Sequence, residues 1–249
     1  MISLKTEKEI ALMKVACNIS AKALEIGGKS VKAGMSTKKL DKIIHDYIIK
    51  EGAKPSFLGY GGFKGSACIS VNDTVIHGIP SEKIIIQKGD IVSIDVGAYI
   101  NGFHGDNAAT FVCGTVPEET QRLLDVTKES LVRGISAAIA GNRVGDIGEA
   151  VQTYVEENGY SVVREFVGHG VGKDLHESPE VPNFGKKGKG PRLIPGMVIA
   201  IEPMVNQGKA EVKILSDGWT VKTCDGSLAT HFEHTVLITK DGPVILTTV

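Results

Sequence analysis

Asp95, Asp106, His169, Glu202 and Glu233 are metal-type ligands set on or beside apolar, strand-like runs. Asp95 follows Ile91-Val92-Ser93-Ile94, and Glu202 follows Val198-Ile199-Ala200-Ile201. Glu233 precedes Val236-Leu237-Ile238, and His169 stands between Gly168 and Gly170. An ionised carboxylate in an apolar layer must be paired, protonated or metal-bound. Four carboxylates with too few cations nearby point to divalent metal as the source of the missing positive charge. Four carboxylates and one imidazole suit two ions, with one or two acids bridging. Oxygen-rich donors suit Co, Mn, Fe(II) or Zn. Any one of these acids alone would as readily be a salt-bridged core residue. Calcium is disfavoured, because no EF-hand spacing occurs and His169 does not suit a hard oxygen-only site.

The elements that must position these ligands can be read from periodicity. A first helix opens at Thr6, with Glu9 completing a capping box, and carries the stripe Ile10, Met13, Cys17, Ala21 and Leu24. A second begins after Ser36, carries Leu40, Ile43, Ile44, Tyr47 and Ile48, and ends at Gly52. Strand-like runs follow to Val112, then a helix starting near Pro117, a helix over Ile147 to Glu157, and strands to the C-terminus. Asn101-Gly102 between Tyr99-Ile100 and Phe103-His104 is a two-residue hairpin signal. That loop pairs residue 100 with 103 and residue 97 with 106, which makes Asp106 the diagonal neighbour of Asp95 on one face. Gly97, between the two acids, leaves room for an ion.

The order helix, helix, strands occurs twice, and a shift of 107 relates the two copies. It carries Ala33-Gly34 onto Ala140-Gly141, Tyr47 onto Tyr154, Gly52 onto Gly159, Gly89 onto Gly196 and Asp95 onto Glu202. Two helices that merely look alike would not also align a strand carboxylate, so duplication is the expected origin. Two halves, about 1–112 and 113–249, then pack about a pseudo-two-fold axis as one α+β domain. Asp95 and Glu202 face one cleft, and a composite antiparallel sheet is covered by helices. No linker separates the halves.

The balance of 28 Lys and Arg against 29 Asp and Glu gives no electrostatic footprint for nucleic acid. The densest basic stretch, Gly185 to Arg192, is glycine-rich and reads as a solvated loop. Cys17, Cys68, Cys113 and Cys224 form no C-x-x-C pair and point to a reducing compartment. The first ten residues lack the apolar core of a signal peptide, and no apolar run of about 18 residues occurs. A cytoplasmic, non-membrane protein is expected, and a monomer. Some apparent motifs fail. Gly28-Lys29-Ser30 resembles the end of a phosphate-binding loop, but Ala23 stands where glycine is needed. His176-Glu177 begins like a zinc-protease helix, but Glu180 occupies the place of the second histidine. No G-x-S-x-G nucleophile elbow is present.

The segments CISVNDTVIHGIP, SIDVGAYINGFHGD, VGHGVGKDLHESP, IEPMV, DGWTVKT and HFEHTV carry a family likeness. Over nearly its whole length the chain resembles the type I methionine aminopeptidases of the short bacterial kind. The ligand order Asp, Asp, His, Glu, Glu is shared with the wider pita-bread superfamily, which includes proline aminopeptidases and creatinase. The resemblance implies the pita-bread fold and removal of the initiator methionine from nascent polypeptides when the second residue is small. It also implies two divalent ions, with Asp95 on one, His169 and Glu202 mainly on the other, and Asp106 and Glu233 shared. By the same likeness Glu202 carries a proton toward the leaving amine, His176 donates to the carbonyl oxygen, and His77 holds the scissile amide region. Tyr60, Phe63, Cys68, His77 and Trp219 are expected to line the methionine pocket, a soft apolar wall suited to a thioether. Phe57 stands where the family commonly has Cys, and Leu175 where it commonly has Phe.

Two other readings share these ligands: a proline-type aminopeptidase or creatinase-like hydrolase, and a binding module that kept the fold and lost catalysis. The retention of all five ligands argues against the latter. Contact with the ribosome is left open by the sequence, and the basic loop 185–192 is its one candidate surface.

Overall fold

The computed structural model describes residues 2–249. The capping box forms at Thr6, whose backbone N–H donates to Glu9 at 2.9 Å while its hydroxyl accepts from Glu9 N–H at 3.3 Å. Helix α1 (Glu7–Ser30) buries Met13, Cys17, Ala21 and Leu24. Helix α2 (Thr37–Lys50) starts behind Ser36, whose hydroxyl accepts from Lys39 N–H, and seals Leu40, Ile44 and Ile48 in the core. Helix α3 (Glu118–Ala137) follows Pro117. Helix α4 (Val144–Glu157) begins three residues ahead of the expected Ile147. The apolar stripe starts at Ile147, but the polar start lies earlier, where Asp146 reaches back to Arg143 N–H at 2.8 Å. The loop over residues 186–190 covers that first turn, with Lys189 carbonyl accepting from Gly145 N–H at 3.0 Å.

The shift of 107 recurs in three dimensions. Added to the ends of α2, at 37 and 50, it gives the ends of α4, at 144 and 157. It carries the start of the strand Ile91–Ile100 onto the start of the strand Val198–Ile201. It carries the antiparallel pair Pro55↔Ala98 onto Val162↔Val205, and the bridge Ser36↔Ile85 onto Arg143↔Arg192. The turn glycines Gly34, Gly52 and Gly89 have positive φ, and so do Gly141, Gly159 and Gly196. Duplicated sequence thus meets duplicated geometry, down to the pairing register.

The central antiparallel surface is built from several hydrogen-bonded ladders. In the first half, Ile91–Ile100 pairs with Ala67–Val71, Lys54–Pro55 and Phe103–Val112. In the second, the strands run in the order Gly242–Ile245, His234–Thr239, Val198–Ile201, Gly168–Gly170 and Glu177–Val181. Pro203, which has no N–H to offer, separates Val198–Ile201 from Met204–Asn206. The halves meet where 106–110 runs beside 231–235. There Glu233 N–H donates to Ala108 carbonyl at 2.8 Å, Thr235 hydroxyl to Asp106 carbonyl at 2.7 Å and Thr110 hydroxyl to His231 carbonyl at 3.0 Å. Threonine hydroxyls therefore stitch the seam on which two of the acids sit. α1 and α2 cover the first-half strands with Leu24, Leu40, Ile44 and Ile48 packed on Ile69 and Ile94. α3 and α4 cover the second half, where Leu131 and Ile147 pack on Ile199, Ile201 and Val236. Among the described residues no helix is long and apolar enough to cross a membrane.

Candidate metal centre and substrate pocket

The Asn101-Gly102 turn has positive φ at both positions, 56° and 83°, as a type I′ hairpin requires. The register is the expected one: Ile100 faces Phe103, Gly97 faces Asp106, and Asp95 faces Ala108. Asp95 and Asp106 are thus diagonal neighbours on one face. The space beside Gly97 is filled, however: a Cβ there would stand 2.6 Å from Ser56 Cβ and 2.9 Å from the Phe57 ring. Gly97 admits the pocket wall rather than an ion.

Asp106, His169 and Glu233 each offer a ligand atom within 4.8 Å of the others. Glu202, just past the strand Val198–Ile201, approaches His169 Nε2 at 3.6 Å. Asp95 lines the same cavity as these four, outside the tightest group. His169 Nδ1 lies 2.9 Å from Gly170 carbonyl; donation there puts the proton on Nδ1 and leaves the Nε2 lone pair facing the acids. Asp95 Oδ1, Asp106 Oδ1 and Glu233 Oε1 are closed off from solvent without a hydrogen-bond partner. Among the described residues no lysine or arginine pairs with any of the four acids; Asp106 and Glu202 meet only histidine.

Their electrostatics follow. Burial, then the charges of Asp106 and Glu202, pushes Asp95 well above the carboxylate range. Burial and Glu202 do the same to Asp106, and burial with all three other acids to Glu233. Burial raises Glu202 to about 8. Burial also lowers His169 to about 3, so its imidazole is neutral at pH 7. Orphaned carboxylate oxygens, mutual repulsion and a bare imidazole nitrogen are what a divalent cation would satisfy. The donor set fits divalent metal.

The acids floor a cavity of about 370 Å³, within the usual size range of small-ligand sites. Tyr60, Phe63, Cys68, His77, His176 and Trp219, the sequence-predicted pocket residues, all line it. Phe57 and Leu175 line it too and pack with Phe63 and Cys68 in one cluster. Trp219 sits on the turn between Val212–Ile214 and Val221–Thr223, held by Asp217, which accepts from Trp219 N–H at 2.9 Å and Thr220 N–H at 2.8 Å. Val221–Thr223 pairs with Thr74–Ile76, so His77 emerges from the neighbouring strand. The His77 and Trp219 rings meet edge to face, centroids 6.0 Å apart.

His77 has φ 56°, a left-handed conformation uncommon outside glycine. The next residue, Gly78, packs closely on the neighbouring strand, where a Cβ would lie 2.2 Å from Ile69 carbonyl. Strain of this kind persists only where the surroundings hold it, and here it presents the imidazole to the cavity. Burial lowers His77 to about 4. Across the cavity, His176 Nδ1 lies 2.8 Å from Tyr60 hydroxyl. If the hydroxyl donates, the His176 proton is on Nε2.

Sequence reasoning gives no role to His231, which the structure places fully inside with Nε2 unpartnered and 3.3 Å from Glu202 Oε2. The signal was its spacing two before Glu233, the same-face interval of a strand. Phe166 is likewise without a role in the sequence; its ring stands edge-on to His77 at 5.8 Å. A single aromatic on a loop carries no pattern to find it by.

The model of metallopeptidase family M24 matches residues 11–240. Methionine aminopeptidase 1 of Bacillus subtilis is 53% identical over 249 residues, covering 100% of both chains. The crystal structure of methionine aminopeptidase from Thermotoga maritima has a TM-score of 0.98 at 44% identity and covers 100% of both chains. Prolidase from Pyrococcus furiosus has a TM-score of 0.79 at 26% identity, covering 99% of this chain and 65% of its own.

Proposed function

The chain belongs to metallopeptidase family M24, and from that membership we propose that its cavity binds an N-terminal methionine and delivers the next peptide bond to hydrolysis. It is a metal-dependent aminopeptidase that removes the initiator methionine, on the pita-bread fold shared with prolidase. The observation that carries the chemistry is the group of four carboxylates without a lysine or arginine partner, facing a small apolar cavity.

Asp95, Asp106, His169, Glu202 and Glu233 would hold two divalent ions, with Mn, Fe(II), Co or Zn the suitable elements. When bound, such ions polarise a carbonyl and lower the pKa of water. The residues around them do the rest. Phe63, Cys68 and Trp219 receive the thioether side chain, and Phe57 and Leu175 set the depth of that wall. Tyr60 fixes the His176 tautomer, and His176 Nε2–H donates to the carbonyl oxygen as negative charge develops on it. His77, neutral and held in place by its backbone, orients the scissile amide. Glu202 carries a proton toward the leaving amine. His231, beside Glu202 Oε2, steadies that carboxylate.

We further assign the chain to a single catalytic domain of two halves, about 1–112 and 113–249, working as a cytoplasmic monomer on nascent chains. The basic loop 185–192 is the surface we assign to transient ribosome contact. A panel of tripeptides tests the substrate: cleavage of Met-Ala-Ser with Ala-Pro-Ala left intact is expected. The reverse pattern would establish instead the proline-type aminopeptidase reading, which shares these ligands. Anaerobic metal titration of that activity, with metal counted per chain, is expected to saturate at two equivalents.

A further inference from the structure

His176 rides on the loop between the strands Gly168–Gly170 and Glu177–Val181. Within the loop, Gly172 N–H donates to Asp174 carbonyl at 3.1 Å, and Gly172 carbonyl accepts from His104 N–H at 2.9 Å. Besides the Tyr60 hydroxyl at His176 itself, one carboxylate also holds the loop. Glu177 Oε1 accepts the N–H of Lys173 at 2.8 Å, and Oε2 meets Lys5 Nζ at 2.5 Å. The Lys5 side chain is only 3% exposed and that of Glu177 13%. Lys5 belongs to the segment ahead of α1, and its backbone N–H donates to Gly196 carbonyl at 2.7 Å. The ion pair lies tight beneath the loop: a Cβ on Gly172 would stand 2.2 Å from Glu177 Oε1 and 2.6 Å from Lys5 Nζ. From above, Lys173 Nζ meets Glu9 of α1 at 3.6 Å.

A buried lysine–carboxylate pair is a poor device for stability alone, because desolvation of both charges offsets most of their attraction. An apolar pair of the same volume would pack as well, but it could not accept the N–H of Lys173. We propose that Lys5 is a positioning residue for His176: its ammonium locks the Glu177 carboxylate, which in turn sets the loop that aims His176 at the substrate carbonyl. The N-terminal segment is then part of the active-site frame. This inference rests on the role given to His176 above.

The test is a double-mutant cycle on the metal-loaded chain, reading kcat and KM on Met-Ala-Ser at a temperature where every variant is folded. His176→Ala is expected to lower kcat about 100-fold, as loss of an oxyanion donor does. Lys5→Met should lower kcat about tenfold through misplacement of that donor, with KM within about twofold and metal per chain unchanged. Glu177→Gln, which keeps an acceptor for Lys173 N–H and loses the charge, should fall between Lys5→Met and the native chain. In the His176→Ala background Lys5→Met should cost nothing further. An equal loss in both backgrounds, or an unchanged kcat for Lys5→Met, overturns the inference. If Lys5→Met does not fold, Glu177→Gln carries the same cycle. An unchanged rate for His176→Ala alone would instead show that the role of His176, and with it this inference, is wrong.

Discussion

The acids and the apolar wall facing them are built by different means. Asp95 and Asp106 stand on long regular strands in fixed register, and Glu202 and Glu233 directly adjoin strands, beside the seam where the halves meet. Most of the wall hangs on irregular chain: Tyr60 in a single 3₁₀ turn, His77 at positive φ, Trp219 on a hairpin turn and His176 on a loop, with Cys68, on the strand opposite Asp95, the exception. Strands fix positions closely and tolerate little, which suits ligands that must converge on ions. Loops can be reshaped by one residue, which suits a wall whose task is to match a side chain. Charge sits on the rigid part, and shape mostly on the adjustable part.

The largest effect should come from breaking the rigid part. Asp95→Asn or Glu202→Gln is expected to lower turnover by about 1,000-fold or more, with metal bound per chain falling in parallel. The fold should survive, because each change removes one member of a mutually repelling group. Melting of the metal-stripped variants should therefore occur at or above the native temperature. Residual turnover within tenfold of native would refute the ligand assignment.

This comparison also explains what could be read from the sequence. Asp95 and Glu202 were legible because an acid ending an apolar run violates the strand pattern, and the shift of 107 made them equivalents. Asp106 was legible because Asn101-Gly102 dictates its register. Phe57, Phe63, Leu175 and Phe166 violate nothing, since an apolar residue on a loop is as consistent with core as with a pocket wall. Their assembly depends on contacts between distant segments, such as Phe57 packing over Gly97, which periodicity does not encode. Phe63, Tyr60 and Trp219 were found through family likeness alone. The early start of α4 is hidden for a related reason: it is fixed by the Asp146 cap and by the loop 186–190 lying on it, not by the apolar stripe.

Breaking the wall should give a smaller effect of another kind. Trp219→Ala removes an edge-to-face partner of Phe63, whose centroid lies 5.2 Å away, along with apolar surface lining the cavity. It should raise KM for Met-Ala-Ser about tenfold, equivalent to ~1.4 kcal/mol of lost apolar contact, with kcat nearly unchanged. A fall in kcat with KM preserved would mean that Trp219 acts on the reacting bond, and the division between wall and acids would fail.

The smallest effect, a few degrees of melting temperature, separates the two regions by pH. In the metal-stripped chain Glu202 is pushed up to about 8 by burial, and Asp95, Asp106 and Glu233 are raised as well. Unfolded carboxyls titrate near pH ~4, so between about pH 6.5 and 8 the folded chain holds protons that the unfolded chain has released. Stability must then fall as pH rises through this window. The buried histidines do not confuse the sign. His77 is lowered to about 4, and His169 and His231 to about 3. Their contribution is fully present above the unfolded value of about 6.5 and is lost only below it. Divalent metal holds the acids ionised and removes the carboxylate slope. The gap in melting temperature between manganese-loaded and stripped protein should therefore widen from about pH 6.5 to pH 8. Trp219→Ala should leave that widening unchanged, because it removes no ionisable group, whereas Asp95→Asn should shrink it. Parallel curves for loaded and stripped native protein would mean that the acids are already ionised and paired without metal.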